Sequence, residues 1–128
     1  AEDYQPDLIM GIESRGFLVA APLAMEMGCS FGMVRKKGKL PGKTLGLKYD
    51  LEYGHDEIEI QPDLVPAGAR VLIVDDLLAT GGTMHAAEQL IQKAGAKVVA
   101  NLCVIELEGL NGAAKLSSPF TALVRCPA

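Results

Sequence analysis

The sequence predicts an α/β fold, a central and mostly parallel β-sheet flanked by helices, in a single domain spanning all 128 residues. Three observations carry this. Short aliphatic runs alternate with longer amphipathic stretches, the βαβ rhythm of a parallel sheet. Residues 71–74 (VLIV) are unbroken aliphatic, as in a strand buried on both faces. Two helix-length stretches each close on a glycine: residues 17–27 before Gly28, and the stripe Met84, Ala87, Leu90, Ile91, Ala94 before Gly95.

Taken in order, residues 8–10 follow Pro6 as a short apolar strand. Residues 11–16 form a turn with a charged centre. The helix over 17–27 contains Pro22, which removes one backbone donor and predicts a kink or a late start. Residues 30–34 read as a second strand. Residues 35–53 carry glycines, Pro41 and dense charge without sustained periodicity, and read as irregular. Residues 57–60 alternate polar and apolar, as a strand with one wet face does. Residues 62–69, with two prolines and a glycine, form a turn. The strand at 71–74 ends on Asp75 and Asp76, a small-residue loop follows at 79–83, then a helix, then a strand over 97–107. The last eight residues carry little signal.

Composition bounds the function. An apolar content of 49% is enough for a buried core, and a net charge of −4 argues against general nucleic-acid binding. Cys29, Cys103 and Cys126 are odd in number and lack CxxC spacing, which points away from a disulfide framework or zinc site and toward a reducing cytoplasm. Cys103, in an apolar run, reads as a small core residue. No apolar run approaches the length of a membrane span. Neither His55 nor His85 has a metal-ligand partner at suitable spacing, and both read as non-catalytic.

The strongest local signal is VLIVDDLLATGGT, residues 71–83. A buried strand delivers two adjacent carboxylates to its carboxyl end, where open α/β sheets bind ligands. A loop without bulky side chains leads into a helix whose free N–H groups and positive dipole end face that loop. Gly81 and Gly82 allow close backbone approach to an anion, and Thr80 and Thr83 add hydroxyl donors. Carboxylates beside a phosphate need other partners, and sugar hydroxyls, directly or through a hydrated metal ion, fit. The combination suggests a phosphorylated sugar; neither the GxxxxGK[ST] nor the GxGxxG pattern occurs.

Two further segments point to anions. In GIESRGF, residues 11–17, a tight turn presents Arg15 and backbone N–H groups, although an ordinary strand-to-helix turn has the same composition. Residues 35–48 hold Arg35, Lys36, Lys37, Lys39, Lys43 and Lys48, six of the twelve basic residues. Like charges this dense repel without a polyanion nearby. YDLEYG, residues 49–54, has the composition of a loop that shuts over a ligand.

The 71–83 string resembles the phosphoribosyl-pyrophosphate signature of type I phosphoribosyltransferases, and its LLATGGT ending resembles the adenine-specific branch. RKKGKLPGKT and LEYG resemble loops of that same branch. The resemblance covers residues 7 to about 120 and implies transfer of ribose 5-phosphate from phosphoribosyl pyrophosphate to adenine, giving AMP and pyrophosphate in purine salvage. By resemblance Asp75 and Asp76 hold the ribose hydroxyls, and Ala79, Thr80, Gly81, Gly82 and Thr83 bind the 5′-phosphate. Glu13, Ser14, Arg15 and Gly16 form the pyrophosphate loop, and Arg35, Lys36 and Lys39 contact pyrophosphate. Glu52 manages a proton at the purine, Tyr53 contributes to closure of a mobile loop at about 36–56, and Leu107 packs near the base.

The resemblance also implies Mg²⁺ carried by substrate and water, a homodimer, and a cytoplasmic location. Family members usually carry an N-terminal hood over the base, and nothing like it occurs in this sequence. Three readings therefore stay open: an active transferase, a hood-less module that binds the activated sugar without turnover, and an inert core.

Overall fold

The computed structural model describes residues 5–13, 15–51, 54–78, 81–108 and 112–127. Seven strands, two α-helices and two short 3-10 helices lie in these parts. The strands are β1 (Leu8–Ile12), β2 (Ser30–Lys36), β3 (Leu45–Leu51), β4 (Gly54–Ile60), β5 (Arg70–Leu78), β6 (Lys97–Glu108) and β7 (Phe120–Pro127). The helices are α1 (Phe17–Met27) and α2 (Gly82–Lys93).

All seven strands join one sheet in the order β3-β4-β2-β1-β5-β6-β7. The pairs β1–β2, β1–β5, β5–β6 and β6–β7 are parallel, while β4 runs antiparallel to both β2 and β3. The expected mostly parallel sheet is present, with an antiparallel hairpin added at one edge. The period-two geometry of the central strands sorts their side chains onto two faces. Ile9, Leu72 and Val74 pack with Ala20 and Ala24 of α1. Leu8, Met10, Ile12, Val71 and Ile73 pack with Met84, Leu90 and Ile91 of α2. Both faces of β1 and of residues 71–74 in β5 are thus covered, which explains the unbroken apolar runs there.

Four expectations are corrected. Residues 45–51 are not irregular: Leu45, Leu47 and Tyr49 alternate with glycine and lysine and turn their apolar face onto the core. Asp75 and Asp76 do not follow β5 but lie inside it, since pairing with β6 continues to Leu78. Pro22 does not delay α1, which begins at Phe17. Pro22 is on the exposed side of α1, where water can serve the Leu18 carbonyl that a proline cannot. The last eight residues are not featureless, because β7 pairs in parallel with β6 from Asn101–Phe120 to Glu108–Pro127.

Candidate functional site

Register brings the chemistry to one edge. Gly11 of β1 lies opposite Met33 of β2 and Val74 of β5, all running in one direction. The residues that follow, Glu13, Arg35, Lys36, Asp75 and Asp76, therefore emerge together at the carboxyl edge of the sheet. The start of α2 meets them there. The cleft between them measures about 370 Å³ and is lined by Glu13, Arg15, Arg35, Lys36, Tyr49, Asp56, Asp75, Asp76, Gly81, Gly82 and Thr83, with Ile12, Val34, Ile58 and Met84 among its apolar walls.

The turn after β1 is organised by Glu13. Its N–H donates to the Val34 carbonyl at 2.9 Å, and its carboxylate accepts from the Lys36 N–H at 2.7 Å and from Arg35 Nε at 3.3 Å. Arg35 also lies over the Phe17 ring, 5.7 Å from its centroid, and Phe17 in turn meets Phe31 edge to face. A charge on a long, flexible side chain is thereby oriented before any ligand arrives. Gly16 is required by packing, since a Cβ there would run into the Ile12 and Val74 carbonyls. Arg15 is 74% exposed at its side chain and reaches across to Asp76 at 2.9 Å.

Asp75 is the most strongly shifted acid among the described residues. Burial, then hydrogen bonding and repulsion from Asp76, push its pKa from 3.8 up to about 7, against the pull of Arg15 and the Asp76 N–H. That N–H donates to Asp75 Oδ1 at 2.7 Å. A partly buried carboxyl held near neutrality beside a second one is poised for hydroxyl or cation partners. Beside it, burial raises the Cys103 thiol to about 11, and its Sγ lies 3.2 Å from the Ile105 carbonyl, so this cysteine is an inert core residue as expected.

The start of α2 has the character of an anion site. Its N-cap is Gly81, at φ 84°, with no side-chain cap and no acid in the first turn. A side chain at Gly81 would be strained by that φ and would strike the Gly112 carbonyl. Thr83 exchanges a 3.0 Å hydrogen bond with the Tyr49 hydroxyl of β3, tying the edge hairpin to this loop.

Glu13, Arg15, Arg35, Lys36, Asp75, Asp76, Gly81, Gly82 and Thr83 are brought together at the cleft, and Gly16 shapes the turn beside it. Lys39 is exposed on the turn after β2 and Leu107 half-buried near the end of β6; neither lines the cleft. Ser14, Glu52, Tyr53, Ala79 and Thr80 lie outside the described residues. Sequence reasoning missed Tyr49 and Asp56. Tyr49 had a signal, the alternation Leu45-Leu47-Tyr49 beneath the lysines and glycines. Asp56 had none, since only the hairpin brings it to Lys36.

The phosphoribosyl transferase domain family matches residues 1–121. The adenine phosphoribosyltransferase of Acidiphilium cryptum (strain JF-5) is 60% identical over 121 residues, covering 94% of this chain and 71% of that protein. The fold is similar to adenine phosphoribosyltransferase from Saccharomyces cerevisiae in complex with an imino-altritol bisphosphate and adenine, with a TM-score of 0.91, 44% identity, and coverage of 95% and 71% of the two chains. It is also similar to the Trypanosoma brucei enzyme in complex with AMP, pyrophosphate and ribose-5-phosphate, with a TM-score of 0.84, 29% identity, and coverage of 97% and 60%.

Proposed function

Since the chain belongs to the phosphoribosyl transferase domain family, and within it to the adenine phosphoribosyltransferases, we propose that its cleft transfers ribose 5-phosphate from phosphoribosyl pyrophosphate to adenine. AMP and pyrophosphate are the products, and the role is purine salvage. The observation that carries this is one cleft holding a carboxyl pair, an uncapped helix start and two pre-oriented arginines.

The chemistry follows from what each group can hold. The 5′-phosphate takes the first-turn N–H groups of α2 with Thr83, joined by Ala79, Thr80, Gly81 and Gly82. Asp75 and Asp76 accept from the ribose hydroxyls and favour the positive charge that grows at C1 as the bond to pyrophosphate breaks. Arg15, Arg35 and Lys36 take the leaving pyrophosphate, with Ser14 and Lys39 as further contacts. Glu52 exchanges a proton with the purine, Tyr53 contributes to closure of a mobile loop at about 36–56, and Leu107 lies toward the base.

Among the described residues no group of three or more His, Cys, Asp or Glu could hold a metal by itself. Magnesium suits the site as a guest of substrate oxygens and water, with Asp75 and Asp76 as acceptors for its waters, and it would supply charge neutralisation on the leaving group. The three free thiols agree with a cytoplasmic setting. Among the described residues no helix is long and apolar enough to cross a membrane. Leu18 and Met25, exposed on one side of α1, support a homodimer.

The test is AMP formation by this chain from adenine, phosphoribosyl pyrophosphate and Mg²⁺, with guanine and hypoxanthine as controls. Turnover with adenine alone is expected. Saturable binding of the activated sugar without turnover would favour a binding module, and neither binding nor turnover would sink the reading. Arg35→Ala removes a charge-assisted contact worth about 1.5–3 kcal/mol. It should cost roughly ten- to hundredfold in kcat/KM, and unchanged turnover would exclude Arg35 from the site.

A further inference from the structure

The cleft proposed to hold a polyanion is already neutralised from within. Its three lining cations each face an acid: Arg15 with Asp76 at 2.9 Å, Arg35 with Glu13 at 3.3 Å, and Lys36 with Asp56 in direct contact. Asp75 adds a fourth carboxyl to the lining. Two of the three paired acids have other work. Asp76 faces the sugar site, and Glu13 accepts the Lys36 N–H and orders the turn. Asp56 makes no such contribution. Its Oδ1 accepts the N–H of its neighbour Glu57 at 2.8 Å, and its Oδ2 meets Lys36 Nζ. It is held in place, aimed at the one lysine of the cleft.

We infer that Asp56 is a built-in counterion for Lys36, which the pyrophosphate group must displace on binding and which reclaims the lysine when pyrophosphate leaves. The contact is mutual: hydrogen bonding to Asp56 raises the Lys36 pKa, and hydrogen bonding to Lys36 lowers that of Asp56. Lys36 is thus held by a carboxylate when the cleft is empty, at the expense of grip when it is filled. An exposed lysine held by a carboxylate needs little free energy to release, so the exchange is reversible on the scale of one weak ion pair. Asp56 thus tunes the strength and reversibility of pyrophosphate binding, a role that rests on the reading of Lys36 as a pyrophosphate contact.

The experiment is calorimetric titration of the full chain with magnesium pyrophosphate, on wild type, Asp56→Asn and Lys36→Met. Asparagine keeps the acceptor for the Glu57 N–H and removes the charge. Asp56→Asn should bind pyrophosphate roughly three- to tenfold more tightly, the scale of one exposed ion pair plus the repulsion it relieves. Lys36→Met should bind more weakly. Weakened binding in Lys36→Met with unchanged or weakened binding in Asp56→Asn overturns the counterion role alone. Unchanged binding in Lys36→Met overturns the pyrophosphate placement and the counterion role with it. Asp56→Ser, smaller and also uncharged, must repeat the asparagine result; if it does not, the effect belongs to asparagine and the inference fails.

Discussion

Replacing Asp75 with asparagine should make the protein more stable and less active, and the stability gain should depend on pH with a definite sign. Asp75 has its pKa raised from 3.8 to about 7 in the folded chain, first by burial and then by Asp76. The folded state therefore binds a proton that the unfolded chain has already released above pH 4. Between about pH 4 and 7 the folded state carries more protons than the unfolded one, so stability falls as pH rises and levels off above about 7. The difference between 3.8 and about 7, at about 1.4 kcal/mol per tenfold, sets a ceiling of about 4 kcal/mol. Coupling to Asp76 and contact with water reduce what is realised.

Asparagine removes the titration while its oxygen still accepts the Asp76 N–H now received by Asp75 Oδ1. Urea denaturation of wild type and Asp75→Asn at pH 5, 6, 7 and 8 should show the variant gaining up to a few kcal/mol, most at pH 7–8. Activity should fall, because the proposed ribose site loses a carboxyl that accepts at both oxygens once it ionises above about pH 7. Equal stability at all pH values, or a gain that shrinks toward pH 8, would refute the claim that folding pushes this carboxyl up. A gain with full activity would refute its role in the site. Residues that cost stability where function needs them are the expected signature of a site.

Two further outcomes test the frame around the cleft. Glu88 of α2 is fully buried and accepts from Asn101 Nδ2 at 2.8 Å and from the Ser117 and Ser118 N–H groups at 3.0 and 2.9 Å. Glu88→Ala leaves those donors unpaired at about 1–3 kcal/mol each; a loss of several kcal/mol in chemical denaturation is expected, and a loss under 1 kcal/mol would show that water replaces the carboxylate. Gly81→Ala forces a Cβ into the Gly112 carbonyl at φ 84°. It should cost at least about 1 kcal/mol and weaken ribose 5-phosphate binding by calorimetry, whereas unchanged binding would separate this glycine from the phosphate loop.

Local patterns made much of this protein legible. Residues 71–74 read as a covered strand, because four aliphatic side chains in succession leave no wet face. The glycine stops at Gly28 and Gly95 marked the helix ends, as their φ values of 69° and 96° explain. The string of 71–83 pointed to the proposed sugar-phosphate site because carboxylates, glycines and a helix start follow one another within thirteen residues. By contrast, β3 was hidden by Gly46 and Lys48, which alternate with its apolar side chains, and β7 by a sequence whose partner lies across a connection to β6.

The division follows from distance along the chain. Signals carried by neighbours in sequence, namely periodicity, caps and the aspartate pair, were decided by the residues alone. Contacts between distant residues needed the sheet order and register: Glu13 with Arg35, Arg15 with Asp76, Lys36 with Asp56, and Tyr49 with Thr83. Sequence showed that cations and carboxylates were present. Only the tertiary structure decided that each cation of the cleft already has an acid beside it, because pairing energy depends on separation in space and not along the chain.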